Sequence, residues 1–248
     1  MKKLKLSHSF ILLLLSIILV RCNKNESLPN QVLSSSEDDA LTTTFDTSSL
    51  SRGLIAYYPL KGEILDHSGN GHNGTAVGSI SYGLNHKGRK NSALVLGSGR
   101  VVTDGFFNYQ RKDSFSVAMW FTLTTASSGG RLLSTECPEG NFRIGAYNNG
   151  IYAIQFGSSA YYLYDTVPLN TWVYIVYTYK KGKVKLFKNG VLKYSGTNAD
   201  TEPLNYCAPF TIGAKASPSY DTWQGSIENL RVYHRALTGA EVRYLFNH

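Results

Sequence analysis

The sequence predicts an all-β fold: a two-sheet antiparallel sandwich of the jelly-roll type, followed by one short C-terminal helix. Three observations predict it. Short runs of β-branched and aromatic residues recur between glycine and asparagine turns, Asn189-Gly190 is a strong two-residue hairpin signal, and helical periodicity is confined to the last ten or so residues. Many short strands with little helix bury their apolar faces most simply by packing one sheet on another.

Taken in order, residues 117–123, 141–147, 151–156 and 161–165 read as strands, with Asn148-Asn149-Gly150 as the turn between the second and third. Residues 172–179, 183–188 and 191–194 read as a meander whose second turn is Asn189-Gly190. Lys180, Lys181, Lys183, Lys185 and Lys188 cluster around that hairpin, as on a solvated edge protected from aggregation. Thr238-Gly239-Ala240-Glu241 is a capping box, and Val242, Leu245 and Phe246 give the helix after it an apolar face. Trp120 and Trp172 read as core.

The start of the chain reads as delivery. Lys2, Lys3 and Lys5 precede an apolar run from Phe10 to Val20, and Cys22 follows, the pattern of a bacterial lipoprotein signal over residues 1–21 with acylation at Cys22. The run is short for a bilayer span. Arg21 stands where such signals carry a small residue, and a plain signal cleaved elsewhere is the alternative. Residues 22–52 are rich in Ser, Thr, Asn and Asp and lack an apolar period, as a disordered tether would. One domain, residues 53–248, remains.

The formal charge is +8, but Lys2, Lys3, Lys5 and Arg21 leave with the signal and the other positives are scattered, so nucleic acid is not expected. With Cys22 assigned to lipid, Cys137 and Cys207 stand in an oxidising setting that favours a disulfide over two buried thiols.

Residues 66–74, Asp-His-Ser-Gly-Asn-Gly-His-Asn-Gly, place oxygen donors at alternate positions. Asp66, Ser68 and Asn70 fill the first, third and fifth places of a calcium loop, Gly71 makes the bend, and His72 offers its carbonyl. Val77 occupies the place of the closing bidentate glutamate, so the loop is either half of a calcium site needing a distant acid or a polar turn.

Residues 53–60 (Gly-Leu-Ile-Ala-Tyr-Tyr-Pro-Leu), the Asp66 loop, residues 114–120, the segment from Trp172 to Leu192 and the run from Trp223 to Glu241 occur in an order that resembles the laminin-G-like branch of the concanavalin A-like lectins and glucanases. The resemblance covers residues 53–248. Its last landmark usually carries two acids, and here reads Ile227-Glu228-Asn229-Leu230. The resemblance therefore implies a structural calcium site closed by Glu228, with Asp66, Ser68, Asn70 and His72 as the other ligands. It also makes the loops of Cys137 and Cys207 neighbours. In related lectins, Arg143, Tyr147, Asn148, Tyr161, Tyr162, Tyr220 and Trp223 fall on or beside the strands and loops around the concave sheet, where aromatic faces and amides recognise sugars.

Glucanases of this superfamily cut with carboxylates in a Glu-x-Asp-x-x-Glu run on one strand. No such run is present; Glu136-Cys137-Pro138-Glu139 is interrupted by proline. His67, His72 and His86 read as solvent-facing loop histidines rather than zinc ligands. The expectation is a binding module and not an enzyme: exported, lipid-anchored at the outer membrane of a bacterial envelope, and serving carbohydrate capture. A protein-protein adhesion module and a glycoside hydrolase are the alternatives.

Overall fold

The computed structural model describes residues 46–107, 113–125, 130–135, 142–147, 150–155, 160–197, 209–215 and 222–248, with backbone alone at residues 147, 152–155 and 160–165. Residues 1–45 lie outside the described residues, and with them Cys22; so do Cys137 and Cys207.

The strands are β1 Leu54–Tyr58, β2 Thr75–Val77, β3 Ser81–Gly83, β4 Ala93–Leu96, β5 Arg100–Val102, β6 Ser114–Phe121, β7 Arg131–Ser134 and β8 Phe142–Tyr147. They continue as β9 Gly150–Gln155, β10 Ala160–Thr166, β11 Val173–Lys180, β12 Lys183–Lys188, β13 Val191–Thr197, β14 Thr211–Ile212 and β15 Gly225–Tyr233, before helix α1 Gly239–Asn247. The larger sheet runs β13-β12-β11-β6-β15-β4-β3, with β1 also paired to β15, and the smaller runs β10-β9-β8-β7-β14-β5-β2. Strand pairings are antiparallel, including the one that joins β1 to β15. The expected two-sheet sandwich with a C-terminal helix is the observed architecture.

Local chemistry explains the connections. Asn189 and Gly190 have φ of 50° and 78°, the left-handed pair that matches a tight hairpin to strand twist. Thr238 and Glu241 cap α1 reciprocally, side chain to backbone in both directions.

The main core lies between the sheets. Val117, Met119 and Phe121 of β6, Ile175 and Tyr177 of β11, and Ile227, Leu230 and Val232 of β15 meet Phe142, Ile144 and Ala146 of β8. A second cluster lies on the other side of the larger sheet, where Ala118, Trp120, Tyr174, Val176 and Tyr233 are covered by Val242 and Leu245 of α1. This is why β6 is a continuous apolar run: both of its faces are buried. Trp172 packs against this second cluster only in part.

Residues 46–52, assigned from sequence to the tether, belong to the folded domain. Thr47–Leu50 forms a short 3-10 turn capped by Asp46, Leu50 packs on the second cluster, and Arg235 donates to the carbonyls of Ser49 and Arg52 at 2.8 and 2.7 Å. Leu50 is the only large apolar residue in that stretch, so no local periodicity marks it.

A β-bulge interrupts β15 between Glu228 and Arg231, with Asn229 in the left-handed region at φ 52°. One extra residue shifts the alternation. Ile227, Leu230 and Val232 therefore all enter the core, while Glu228 takes the face of Trp120, its partner across the ladder.

Candidate functional site

The Asp66 loop is closed by hydrogen bonds. One carboxylate oxygen, Oδ1, accepts from the backbone N–H groups of Tyr57 and Ser68, both at 2.9 Å. The other, Oδ2, lies 2.8 Å from Ser68 Oγ and accepts from His72 N at 3.1 Å. Asn70 Nδ2 donates to the carbonyls of Leu54 and Ile55, and the Tyr58 hydroxyl donates to the His72 carbonyl at 2.5 Å. Burial works against the Asp66 carboxylate, but the donors from Tyr57, Ser68 and His72 outweigh it and hold its pKa below the usual range. Burial, with the nearby Asp66 and Asp104 charges, raises the Tyr58 phenol.

Asp66, Ser68, Asn70 and His72 thus share one loop, but Glu228 joins a different partner. Its Oε1 accepts from the backbone N and the Nδ1 of His86 at 2.7 and 2.5 Å. Among the described residues no three His, Cys, Asp or Glu side chains assemble as a metal cluster. The bulge at Asn229 leaves Glu228 on the face where His86 lies, so its Oε1 is engaged there, while the Asp66 carboxylate is engaged by the backbone of its own loop and β1.

Glu228 is fully buried, and its Oε2 has no hydrogen-bond partner among the described residues. The His86 ring lies flat on Trp120, with centroids 4.2 Å apart and planes at 8°. This side chain is 12% exposed, so His86 is not the solvent-facing residue that its loop composition suggested. Two long-range constraints, a buried carboxylate and an indole face, fix it. His67 and His72 pair with Glu63 and Asp104 at 2.7 and 2.8 Å.

Beside this stack, on the helix-covered side of the larger sheet, opens a cleft of about 400 Å³. The 3-10 turn, β1, the 85–89 loop, β15 and α1 all contribute to its walls. Tyr57, Lys61, His86, Lys87, Arg89 and Arg231 supply its chemistry. Arg231 lies over the Tyr57 ring at 4.0 Å, and the Tyr57 hydroxyl donates to Asn229 Oδ1 at 3.1 Å. Asn85 holds the loop below: its Oδ1 accepts from Lys87 N and Arg89 N at 3.0 and 2.9 Å. Among the described residues no Asp or Glu side chain lines the cleft.

The profile of the concanavalin A-like lectin/glucanases superfamily, in its laminin-G form, matches residues 96–243. This protein belongs to that superfamily. Solved structures agree on the fold. Domain 4 of a GH43 extracellular arabinanase from Geobacillus stearothermophilus, in complex with arabinotriose, superimposes with a TM-score of 0.65 at 24% identity, over 77% of this chain and 97% of that one. Botulinum neurotoxin type C, which interacts with two ganglioside molecules to enter cells, gives a TM-score of 0.66 at 17% identity over 82% of this chain and 52% of that one. The binding domain of botulinum neurotoxin serotype D gives 0.64 at 15% identity, over 81% and 52%. This superfamily member spans about half the length of the neurotoxin chains it matches. Comparison with curated proteins finds no match.

The residues expected around the concave sheet fare unevenly. Arg143 sits on β8, half-buried between the core residues Phe142 and Ile144. Tyr147 ends the same strand, while Tyr161 and Tyr162 occupy successive register positions on β10, opposite Ala153 and Tyr152. Asn148 and Tyr220 lie outside the described residues. Trp223 is corrected: it is fully buried, packs edge-on against Phe121, and donates its indole N–H to the Thr122 carbonyl at 2.9 Å. A buried indole with its one donor satisfied is a core group, not a ligand platform.

Sequence reasoning passed over the cleft residues because they come from four separate stretches of chain. Tyr57 and Arg231 sit in recognised landmarks, but at opposite ends of the domain, and Lys61, His86, Lys87 and Arg89 sit in none.

Proposed function

We propose that this protein is a non-catalytic carbohydrate-binding module used for polysaccharide capture. The cleft carries this reading. At about 400 Å³ it falls within the roughly 300–1,000 Å³ of small-ligand sites, and it offers an aromatic wall, the amides of Asn85 and Asn229, and several cations. Relatives of the same fold that hold arabinotriose or gangliosides support a glycan ligand. Export through residues 1–21, acylation of Cys22 at the outer membrane and a Cys137–Cys207 bridge are parts of the same proposal. So is calcium, in a narrower form: the Asp66 loop provides hard oxygen donors that fit the ion, without Glu228.

A glycan array probed with the full chain in non-ionic detergent tests the reading. Retention on saccharide spots is expected, with loss in Ser51→Trp, which places a bulky ring at the cleft wall. Retention of no glycan, or retention unaffected by Ser51→Trp, would overturn it. Capture of a protein partner that soluble glycan fails to compete would favour the adhesion alternative.

A further inference from the structure

We propose that the cleft selects acidic saccharides, taking a carboxylate or sulfate group of the sugar between Arg89, Lys61 and Arg231. The inference rests on the carbohydrate reading of the cleft and adds its charge class. Among the described residues the cleft wall carries Lys61, Lys87, Arg89 and Arg231 and no Asp or Glu side chain. Such an imbalance in a concave site concentrates field and draws an anion into it.

The three cations assigned to the anion are not consumed by internal pairs, whereas Lys87 Nζ donates to the main-chain carboxyl oxygen of His248, the last residue, at 2.8 Å. Among the described residues the side chains of Lys61 and Arg89 have no hydrogen bond or ion pair. Arg231 is held flat over Tyr57 at 4.0 Å, and its single hydrogen bond, to the Asn229 carbonyl, is long at 3.5 Å. A guanidinium stacked on a ring keeps its in-plane fork of donors open, the geometry that takes a carboxylate or sulfate with two parallel hydrogen bonds.

The site is also built in advance. Asn85, 6% exposed, fixes the backbone of Lys87 and Arg89 through its own side chain. Gly88 turns the loop at φ 72°. His86, pinned by Glu228 and Trp120, anchors the loop to the sheet. His86 Nε2 makes no hydrogen bond among the described residues and lies on the residue that lines the cleft, where a sugar hydroxyl would meet it. Little loop ordering is left to oppose binding.

The charge and the aromatic ring together favour a sugar acid over a bare anion. Tyr57 and Tyr244 give apolar surface for sugar C–H groups, while an inorganic anion would use only the cations.

Titration calorimetry tests this with five probes: trigalacturonate, its methyl ester, a sulfated galactose trisaccharide and arabinotriose against the full chain in non-ionic detergent, and phosphatidylglycerol vesicles against the Cys22→Ser chain in detergent-free buffer. Trigalacturonate or the sulfated sugar should bind, and the arm that binds identifies the anionic group. The methyl ester should bind at least about tenfold more weakly, since a charge-assisted pair is lost, and added salt should weaken the acidic probe further. The double variant Lys61→Gln, Arg89→Gln should lose at least about tenfold in affinity with its melting temperature unchanged. Equal binding of the ester or of arabinotriose would overturn the acidic class and leave the carbohydrate reading standing. Binding of no saccharide would overturn both. Vesicle binding without saccharide binding by Cys22→Ser, which carries no acyl anchor, would reassign the cleft to anionic lipid.

Discussion

Arg235 holds Glu241 through both carboxylate oxygens, Nη1 to Oε2 at 2.8 Å and Nη2 to Oε1 at 2.7 Å. The same guanidinium reaches the carbonyls of Ser49 and Arg52, and the same carboxylate closes the capping box of α1. One ion pair therefore ties the 3-10 turn, the end of β15 and the last helix together.

Removing Arg235 should be costly, because Glu241 would keep a largely buried charge without its partner. Arg235→Met is expected to destabilise the domain by about 3 kcal/mol, measured by denaturant unfolding. Hydrogen exchange should rise first at residues 49–52. A loss below about 0.5 kcal/mol, the value of an exposed pair, would show that the network contributes little.

Acid should weaken the fold through two carboxylates. At Glu241, burial raises the pKa but Arg235 and Thr238 outweigh it, and the net direction is down. Asp66 is lowered in the same way by its backbone donors. A folded pKa below the unfolded one gives stability that is complete above the unfolded value, roughly 4, and is lost as pH falls through the folded value. Stability should thus be flat from these two groups between pH 5 and 7 and decline below about 4. Asp66→Asn and Glu241→Gln should each flatten that decline, read from denaturation midpoints against pH.

For the Asp66 loop, calcium bound to the folded state alone should raise the melting temperature by mass action. Chelator is expected to lower it by a few degrees, and Asp66→Ala to abolish that response. The variant should melt lower than the chelated wild type, since it also loses the bonds to Tyr57, Ser68 and His72. Identical melting with calcium and with chelator would remove the ion and leave the hydrogen-bonded turn.

Trp223→Phe should cost about 2–3 kcal/mol, from lost packing and an orphaned Thr122 carbonyl, while leaving saccharide affinity unchanged. Weaker binding at unchanged stability would return Trp223 to the ligand site.

The strands and the helix were legible because their signals are local. Lys183–Lys188, the Asn189-Gly190 turn and the Thr238 cap each carry their instruction within a few residues. The site was less so. Glu228 and His86 are 142 positions apart, and no spacing rule links them. The bulge at Asn229 was hidden because the asparagine reads as a substituted acid rather than as a residue that tolerates positive φ. Trp223 was misplaced because an aromatic beside a strand end looks alike whether it faces sugar or core, and only the Thr122 carbonyl decides. The second cluster could be read in part from Val242 and Leu245, but not which sheet face they would cover.

The pairing of β1 with β15 joins Tyr58 to Leu230 and makes the cleft one of the last features the chain can complete. Both flanks of that wall must have met before Tyr57 can receive Arg231, and contacts so distant in sequence form slowly. A partly folded chain therefore has no binding site, however well its hairpins have formed. Once filled, the cleft has ligand bridging the first strand and the last, the pair whose separation would begin unfolding from the termini. Occupancy should lengthen the lifetime of the folded state as well as deepen its stability, so the rate of unfolding becomes a readout of capture.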